Sequence, residues 1–231
     1  SISHYGTYEE VEAKIMGEKI KAGSIVVDVG ANIGLHTLNM ARITNSDGKV
    51  FAFEPDPSNF KILEKNIQIN NYENIISEQK AVGQGHGETT LYQSDHPGMH
   101  RIYPQSEKSK GEIQVELINL DKYFSNLDLT GKIDFIKIDV EGFEFSVLKG
   151  MKEILENNKQ IKILFEFMPE NILEAGFSPI ELLDYLSSFN FKIHCIDEKT
   201  RELIHVSNNE EIINLCSSQS NTLQRNLFCQ K

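Results

Sequence analysis

Residues 25–37, which read IVVDVGANIGLHT, decide the fold of this chain. A β-branched run contains the acid Asp28, a turn with two glycines follows it, and an apolar-periodic segment leaves the turn. This order predicts a buried strand, a tight loop and a helix N-terminus, which is where open α/β sheets bind ligands. Two interpretations are open at this point: an ordinary strand-to-helix connection, or a site for a nucleotide cofactor.

Composition limits the class of protein. The chain has 231 residues and a mass of 26.3 kDa, which suits one α/β domain with a sizeable core. A hydrophobic fraction of 39% and a mean hydropathy of -0.34 predict a soluble protein. The net charge of -11 argues against a nucleic-acid partner, because phosphate binding needs basic patches. No apolar run reaches the ~20 residues of a membrane helix, so we expect no membrane span.

Three cysteines, Cys195, Cys216 and Cys229, lie far apart without the spacing of a metal site. Their odd number predicts reduced thiols and a cytoplasmic location. We divide the chain into an N-terminal helical segment, residues 1–23, and a single domain, residues 24–231. The first segment is expected to lid the site or to pack on the sheet edge. Residues 94–111 have no period and are predicted to form a loop on the substrate side.

Strand-like and helix-like segments alternate along the chain. The predicted strands are 25–29, 50–54, 75–77, 88–92, 113–117, 133–138, 161–165, 192–196 and 222–228. The predicted helices are 7–21 with Thr7 as N-cap, 35–42, 58–70 with Ser58 as N-cap, 120–124, 143–157 and 179–189. This alternation predicts an α/β fold with a mostly parallel sheet covered by helices on both faces.

Acids follow several of these strands, and the spacing of one of them selects the cofactor class. Glu54 lies about 20 residues past the glycine turn, the usual distance for an acid that binds ribose hydroxyls. The turn lacks the middle glycine of a dinucleotide site, so a pyrophosphate is not expected. S-adenosylmethionine fits both conditions, and Asp28 would bind its ammonium group directly or through water. The alternatives are a solvated strand-end acid at Glu54 and a nicotinamide-dependent reductase.

Several motifs together resemble the FkbM-type family of S-adenosylmethionine-dependent methyltransferases, over roughly residues 23–166. They are VDVGANIG at 27–34 with Thr37, FEP at 53–55, KAVG at 80–83, IKIDVEG at 136–142 and VLKG at 147–150. The IKIDVEG block is the most specific of these. The resemblance implies a Rossmann-like class I methyltransferase fold with a mostly parallel seven-stranded sheet. It also implies an O-methyltransferase, often one that acts on sugars or secondary metabolites.

The resemblance also implies the roles of matching residues. The methionine part of the cofactor would lie against Gly30, Asn32 and Gly34, and the ribose would bind Glu54. Four further residues would border the adenine: Pro55, Asp56, Ala81 and Val82. Asp139 would face the methyl group.

Methyl transfer to an alcohol requires loss of a proton, either to a base or to a hydroxyl bound by a metal. Asp139 and Glu141 are candidate ligands for Mg²⁺ or Mn²⁺, because both follow the same strand. The alternative is that Glu141 caps the next helix while Asp139 contacts the cofactor.

The loop at 94–111 offers further candidates. His96 and His100 are candidate general bases. Arg101 is a candidate for binding an acceptor phosphate or carboxylate, and Tyr103 for stacking on a sugar ring. The alternative is an exposed loop with incidental histidines.

The sequence thus favours an S-adenosylmethionine-dependent O-methyltransferase that acts on a sugar hydroxyl. The acceptor would be a nucleotide sugar, a capsular or surface polysaccharide, or a glycosylated metabolite. A homo-oligomer is compatible with the sequence. The rival from another class is a non-catalytic, methyltransferase-like binding module.

Overall fold

A computed structural model describes residues 10–94, 99–104, 111–197, 200, 202–217 and 225–231. The strands are β1 (Ile25–Val29), β2 (Lys49–Phe53), β3 (Ile75–Glu78), β4 (Ala81–Val82), β5 (Gly87–Gln93), β6 (Gly111–Ile118), β7 (Phe135–Ile138), β8 (Lys162–Phe167), β9 (Lys192–Asp197), β10 (Glu202–His205) and β11 (Arg225–Gln230). The helices are α1 (Glu10–Lys19), α2 (Leu35–Thr44), α3 (Pro57–Asn70), α4 (Leu120–Ser125), α5 (Glu144–Lys149), α6 (Lys152–Asn157), α7 (Pro169–Glu174), α8 (Pro179–Ser188) and α9 (Asn209–Ser217).

The large sheet has the strand order β10-β9-β11-β8-β7-β1-β2-β3. Strand β1 lies between β2 and β7, and all three are parallel, as are the pairs β2–β3 and β7–β8. Strand β11 runs antiparallel to both β8 and β9. The predicted α/β fold with a mostly parallel sheet is therefore confirmed, but the sheet has eight strands, because β10 adds to the edge beside β9. A second sheet of three strands, β4-β6-β5, is separate from it.

Helices cover both faces of the large sheet, which explains why β1 and β7 are buried almost throughout. All four residues of β7 are buried. On one face Val26 and Phe135 pack in a cluster that includes Val11 and Ile15 of α1. The N-terminal helix therefore packs on a face of the sheet, beside α2. Thr7, its predicted N-cap, lies outside the described residues.

Two local predictions were wrong. The segment predicted as one helix, residues 143–157, is two short helices, α5 and α6. The chain bends at Gly150, where a Cβ atom would lie 2.2 Å from the carbonyl oxygen of Gly83. The N-cap of α3 is Asp56 rather than Ser58, because Asp56 Oδ1 accepts from the backbone N–H groups of Ser58 and Asn59.

Four short elements were not predicted: β4, β10, α7 and α9. The predicted loop at 94–111 ends where β6 begins, at Gly111, and its residues 99–104 are described. We call these six residues the crossing segment. Across the described part of the chain, no helix is long and apolar enough to cross a membrane.

Candidate active site

The glycine turn is held between the ends of two strands. The backbone N–H groups of Gly30 and Ala31 both donate to Phe53 O, each at 3.0 Å, at the end of β2. Gly30 has a φ of +80°, and a Cβ atom there would lie 1.8 Å from Asp139 O, just past β7. Gly34 begins α2 at a φ of +94°. The turn therefore approaches the end of β7 as closely as a backbone can, which needs glycine at position 30.

Glu54 connects the end of β2 to this turn. Its Oε2 accepts from the Asn32 backbone N–H at 2.8 Å, and its Oε1 accepts from the Asp56 N–H at 2.9 Å. Burial raises the pKa of Glu54 from 4.5 to about 7, although these two backbone hydrogen bonds act in the opposite direction. Each carboxylate oxygen keeps further acceptor capacity. Glu54 thus lies just past the end of β2, beside Pro55, with its orientation fixed by the backbone, and its contact with a ribose stays a prediction.

A buried ion-pair chain runs from α2 to the end of β7. Asp28 is fully buried and accepts from the Thr37 hydroxyl at 2.6 Å. Lys137 Nζ lies 3.6 Å from Asp28 Oδ1 and 3.3 Å from Asp139 Oδ2. Burial alone would lower the pKa of Lys137, but the negative charges of Asp139 and Asp28 raise it above its ordinary value. Sequence analysis missed this role of Lys137, although one lysine in the apolar strand FIKI was a signal.

The burial of Asp28 bears on its predicted contact with the ammonium group of the cofactor. With no exposed surface and with Thr37 and Lys137 against it, Asp28 faces the interior rather than the cleft. A direct contact is therefore not provided by this geometry, and a contact through water remains as the prediction.

Three carboxylates meet at the ends of β7 and β8. Oxygen atoms of Asp139, Glu141 and Glu166 all lie within 4.8 Å of one another. Burial first, and the neighbouring Asp139 second, raise the pKa of Glu141 to about 8 and hold that of Glu166 well above its ordinary value. A carboxyl group with a pKa near neutrality can exchange protons at working pH, as general acid–base groups do.

Glu166 supplies the third carboxylate that the sequence prediction of a metal site lacked. Oxygen ligands of this kind suit Mg²⁺ or Mn²⁺, but the same three groups can share protons instead. Acidic clusters are common without an ion. The metal at Asp139 and Glu141 therefore stays a prediction. Glu141 does not cap the next helix, because the N-cap of α5 is Phe143 and no side chain accepts a capping hydrogen bond there. Glu144 Oε1 instead accepts from the N–H groups of Val140 and Gly142, in the turn before α5.

The crossing segment places His100 away from these carboxylates. His100 Nδ1 accepts from the Ser94 N–H at 3.1 Å, and its Nε2 lies 3.8 Å from Asp56 Oδ2. Asp56 follows β2, at the predicted adenine end, so this position does not support His100 as the base. His96 lies outside the described residues. Ala81 and Val82, also predicted at the adenine, form β4 and are each 2% exposed.

Arg101 points to the opposite side of the crossing segment. Its Nη1 donates to Glu174 Oε2 at 2.8 Å and its Nη2 donates to Asn171 Oδ1 at 3.1 Å, both on α7. These contacts occupy the guanidinium that we predicted would bind an acceptor anion. Tyr103 is 6% exposed and its hydroxyl donates to Glu141 O at 2.7 Å. Tyr103 therefore anchors the turn after β7 and has no open ring face for a sugar.

His36, in the first turn of α2, is a further titratable residue of this region. Burial lowers its pKa to about 4, and the charge of Lys137 acts in the same direction, whereas Asp28 and Asp139 act against it. A histidine with this pKa is neutral at physiological pH.

Three curated relatives match this chain over part of its length. Methyltransferase 1 of Beauveria bassiana is 28% identical over 56% of this chain and 59% of its own length. The hexuronic acid methyltransferase AglP of Haloferax volcanii is 28% identical over 64% of this chain and 59% of its own. The 2-O-methyltransferase NoeI of Sinorhizobium fredii is 26% identical over 78% of each chain. The chain thus spans about six-tenths of the length of the first relatives it matches.

A solved structure and a family model also match this chain. The FkbM methyltransferase of Methylobacillus flagellatus has a TM-score of 0.51 at 17% identity, over 92% of this chain and 44% of its own, which shows a shared fold. The family model described as the methyltransferase FkbM domain matches residues 28–193. That match includes the glycine turn, Glu54 and the carboxylates after β7 and β8. Because the match covers more than half of the 231 residues, this chain belongs to the FkbM methyltransferase family, as its motifs predicted.

Proposed function

We propose that this S-adenosylmethionine-dependent methyltransferase is an O-methyltransferase that acts on a sugar hydroxyl. The observation that carries the proposal is the position of the carboxylates Asp139, Glu141 and Glu166, next to the strand end that contacts the glycine turn. A hydroxyl nucleophile has to lose its proton, and this cluster offers acceptors for it. The names of two relatives, a hexuronic acid methyltransferase and a 2-O-methyltransferase, support a carbohydrate acceptor.

The residues present fit the cofactor. Glu54 has acceptor capacity for ribose hydroxyls, and Gly30, Asn32 and Gly34 shape a turn in which no side chain at position 30 obstructs the backbone. Carboxylates outnumber cations at the ends of β7 and β8, which suits a ligand with a positively charged sulfonium and ammonium. When bound, the cofactor supplies an activated methyl group, and the protein supplies alignment and proton transfer.

Each group of residues then has one role. Glu54 orients the ribose, while Pro55, Asp56, Ala81 and Val82 border the adenine. Lys137 holds Asp139 in place at the methyl end through its 3.3 Å contact. The acceptor lies over the ends of β7 and β8, because the cofactor extends from β2 across β1 and leaves that part of the edge open.

We further propose a small-molecule or glycan acceptor and a cytoplasmic location. The acidic composition, with a net charge of -11, does not favour a nucleic-acid acceptor. The three cysteines are buried thiols, which fits a reducing compartment. Nucleotide sugars, capsular or surface polysaccharides and glycosylated metabolites are the acceptor classes to be tested.

A mass-shift screen tests the proposal. The protein is incubated with S-adenosylmethionine and a panel of nucleotide sugars, oligosaccharides and glycosides, with small phenols and peptides as comparison acceptors. Parallel reactions contain EDTA, or EDTA followed by excess Mg²⁺. We expect one sugar class to gain the mass of one CH₂ unit. Methylation of phenols or peptides alone would contradict the sugar assignment, and no methylated product at all would favour the binding-module alternative.

A further inference from the structure

The carboxylates at the end of β7 differ in their surroundings. Asp139 is held by Lys137, Glu144 is 1% exposed and accepts two backbone hydrogen bonds, and Glu166 is 5% exposed. Asp139 and Glu141 are only partly buried, and of these two Glu141 has no cation within ion-pair distance among the described residues. The Glu141 carboxylate can therefore accept a hydrogen bond from an acceptor hydroxyl without displacing a cation.

The backbone at Glu141 presents this side chain. Glu141 has a φ of +55° and Gly142 one of +101°, so two successive residues are left-handed. A left-handed non-glycine residue costs free energy and persists where surrounding contacts hold it. One such contact is the Tyr103 hydroxyl, which donates to Glu141 O at 2.7 Å. A Cβ atom at position 142 would lie 2.6 Å from both that hydroxyl and Asn171 O, so the turn fits tightly against them.

Asn171 orients the carboxylate itself. Asn171 Oδ1 accepts from Arg101 Nη2 at 3.1 Å, and a guanidinium has only donors, so the oxygen of this amide must face Arg101. The amide nitrogen is thereby turned toward Glu141 Oε2, at 3.4 Å. Glu174 in turn fixes Arg101 through its 2.8 Å ion pair. The contacts of the crossing segment and α7 thus converge on one carboxylate.

We propose that Glu141 is the general base that takes the proton from the acceptor hydroxyl, with Asn171 and Tyr103 as positioning residues. This inference rests on the proposed function. The O–H bond of the acceptor breaks, its proton passes to a Glu141 Oε atom, and its electron pair forms the new bond to the methyl carbon. The C–S bond breaks at the same time and leaves its electron pair on the sulfur, which becomes a neutral thioether.

Other candidates fit this role less well. His100 lies against Asp56, at the other end of the site. The Asp139 carboxylate already has a cationic partner, the ammonium of Lys137 at 3.3 Å. Glu166 lies within β8 and is only 5% exposed, so it is less open to an acceptor than the partly buried Glu141. Its substitution therefore provides the natural comparison for Glu141.

The test measures Glu141→Gln, Glu166→Gln and Glu170→Gln on an acceptor found in the screen. Gln keeps an oxygen for the Asn171 contact and removes only the basicity. We expect Glu141→Gln to lower kcat about 100-fold or more, while the Kd for S-adenosylmethionine, measured by titration calorimetry, changes less than about twofold. Glu170, exposed on the same α7, is the matched charge control and should leave kcat unchanged.

Chemical rescue separates a base from a structural group. Sodium formate added to Glu141→Ala should restore part of kcat in proportion to its concentration, and it should not do so for Glu170→Ala. Tyr103→Phe and Asn171→Ala should lower kcat several-fold with little change in cofactor affinity, because they misplace the carboxylate without removing it.

Two results would overturn the assignment. One is a kcat of Glu141→Gln within about threefold of the wild-type value. Removal of a general base is expected to lower kcat by far more than that. The other is loss of activity in Glu166→Gln with Glu141→Gln unaffected, which would transfer the role to Glu166. If the wild-type protein methylates nothing in the screen although it binds the cofactor, the proposed function fails, and this inference fails with it.

Discussion

Glu144 is a buried acid whose ionisation opposes folding. Its Oε1 accepts two backbone hydrogen bonds, whereas its Oε2 has no hydrogen-bond partner. Burial raises its pKa from 4.5 to about 7, against the effect of those backbone bonds. Between these two pH values the folded protein keeps a proton that the unfolded chain has released. Stability contributed by this group is therefore present below about pH 4.5 and is lost as the pH rises through about 7.

The variant Glu144→Gln should remove this dependence, because an amide keeps the Oε1 contacts and cannot ionise. Relative to wild type, its free energy of unfolding should increase from about pH 4.5 to about pH 8 by on the order of 3 kcal/mol. Urea denaturation across this range checks the prediction, with the exposed Glu170→Gln as control. Parallel stability curves for wild type and Glu144→Gln would contradict it.

Gly30 tests the close approach of the glycine turn to β7. Gly30→Ala places a Cβ atom 1.8 Å from a backbone oxygen, whereas Gly23→Ala meets nothing within 4 Å, and both glycines have a φ of +80°. The left-handed conformation alone should lower the free energy of unfolding of Gly23→Ala by about 1–2 kcal/mol. Gly30→Ala should cost roughly 1–3 kcal/mol more, from the backbone shift it forces. Equal losses in urea denaturation would show that the turn does not contact β7 in this manner.

The positions of site residues at strand ends could be predicted from the sequence, whereas the contacts of residues in loops could not. Glu54 and Asp139 lie at strand ends, because the register of parallel strands fixes where the chain leaves the sheet. The directions of His100, Arg101 and Tyr103 depend on contacts with residues 38 to 73 positions away along the chain. A single sequence carries no record of such contacts, so their predicted roles did not match their positions.

The break between α5 and α6 is a property of the elements that meet there. Gly150 has a φ of -79°, which any residue can adopt, so its requirement is space beside Gly83. Gly150→Ala should therefore destabilise the protein by roughly 1–3 kcal/mol. Gly17→Ala, in the exposed part of α1 with nothing within 4 Å, should stabilise it by roughly 0.5–1 kcal/mol. Thermal unfolding of both variants checks the opposite signs, and a stabilised Gly150→Ala would contradict the contact.

Elements with a strong apolar pattern were predicted within a few residues, as β1 and α3 show. The four missed elements have two to nine residues and a weaker pattern: β4 has two residues, β10 has four and α7 has six. The helix break at Gly150 was missed for another reason. The segment keeps an apolar stripe through Val147, Leu148 and Met151, so its periodicity continues across the bend.

Across the whole molecule, the sheet order places the proposed functions side by side. Strands β2, β1, β7 and β8 are neighbours, so Glu54, the glycine turn, Asp139 and Glu166 follow one another along a single edge. Parallel order could be predicted from the alternation of strands and helices, and the motifs indicated the family. The eighth strand and the separate three-stranded sheet could not be predicted, because strand pairing at an edge leaves little trace in local sequence.

Cofactor binding along this edge should stabilise the entire domain. At a concentration about 100 times its Kd, a ligand that binds only the folded state raises the free energy of unfolding by about 2.7 kcal/mol. For a chain of this length that corresponds to roughly 5–10 °C in Tm. We expect this shift with S-adenosylmethionine and none with NAD at equal concentration. A scan in which both ligands shift Tm equally would contradict a site without room for a pyrophosphate.

The most direct measurement of the central claim is a calorimetric titration of S-adenosylmethionine into wild type, Glu54→Ala and Glu78→Ala. Glu78 ends the adjacent strand β3 and is the matched control. Melting curves of all three proteins confirm that each is folded. We predict binding in the micromolar range for wild type and Glu78→Ala, and its loss in folded Glu54→Ala. Tight binding of NAD instead, or unchanged affinity in Glu54→Ala, would contradict a cofactor site that extends from Glu54 across the glycine turn to Asp139.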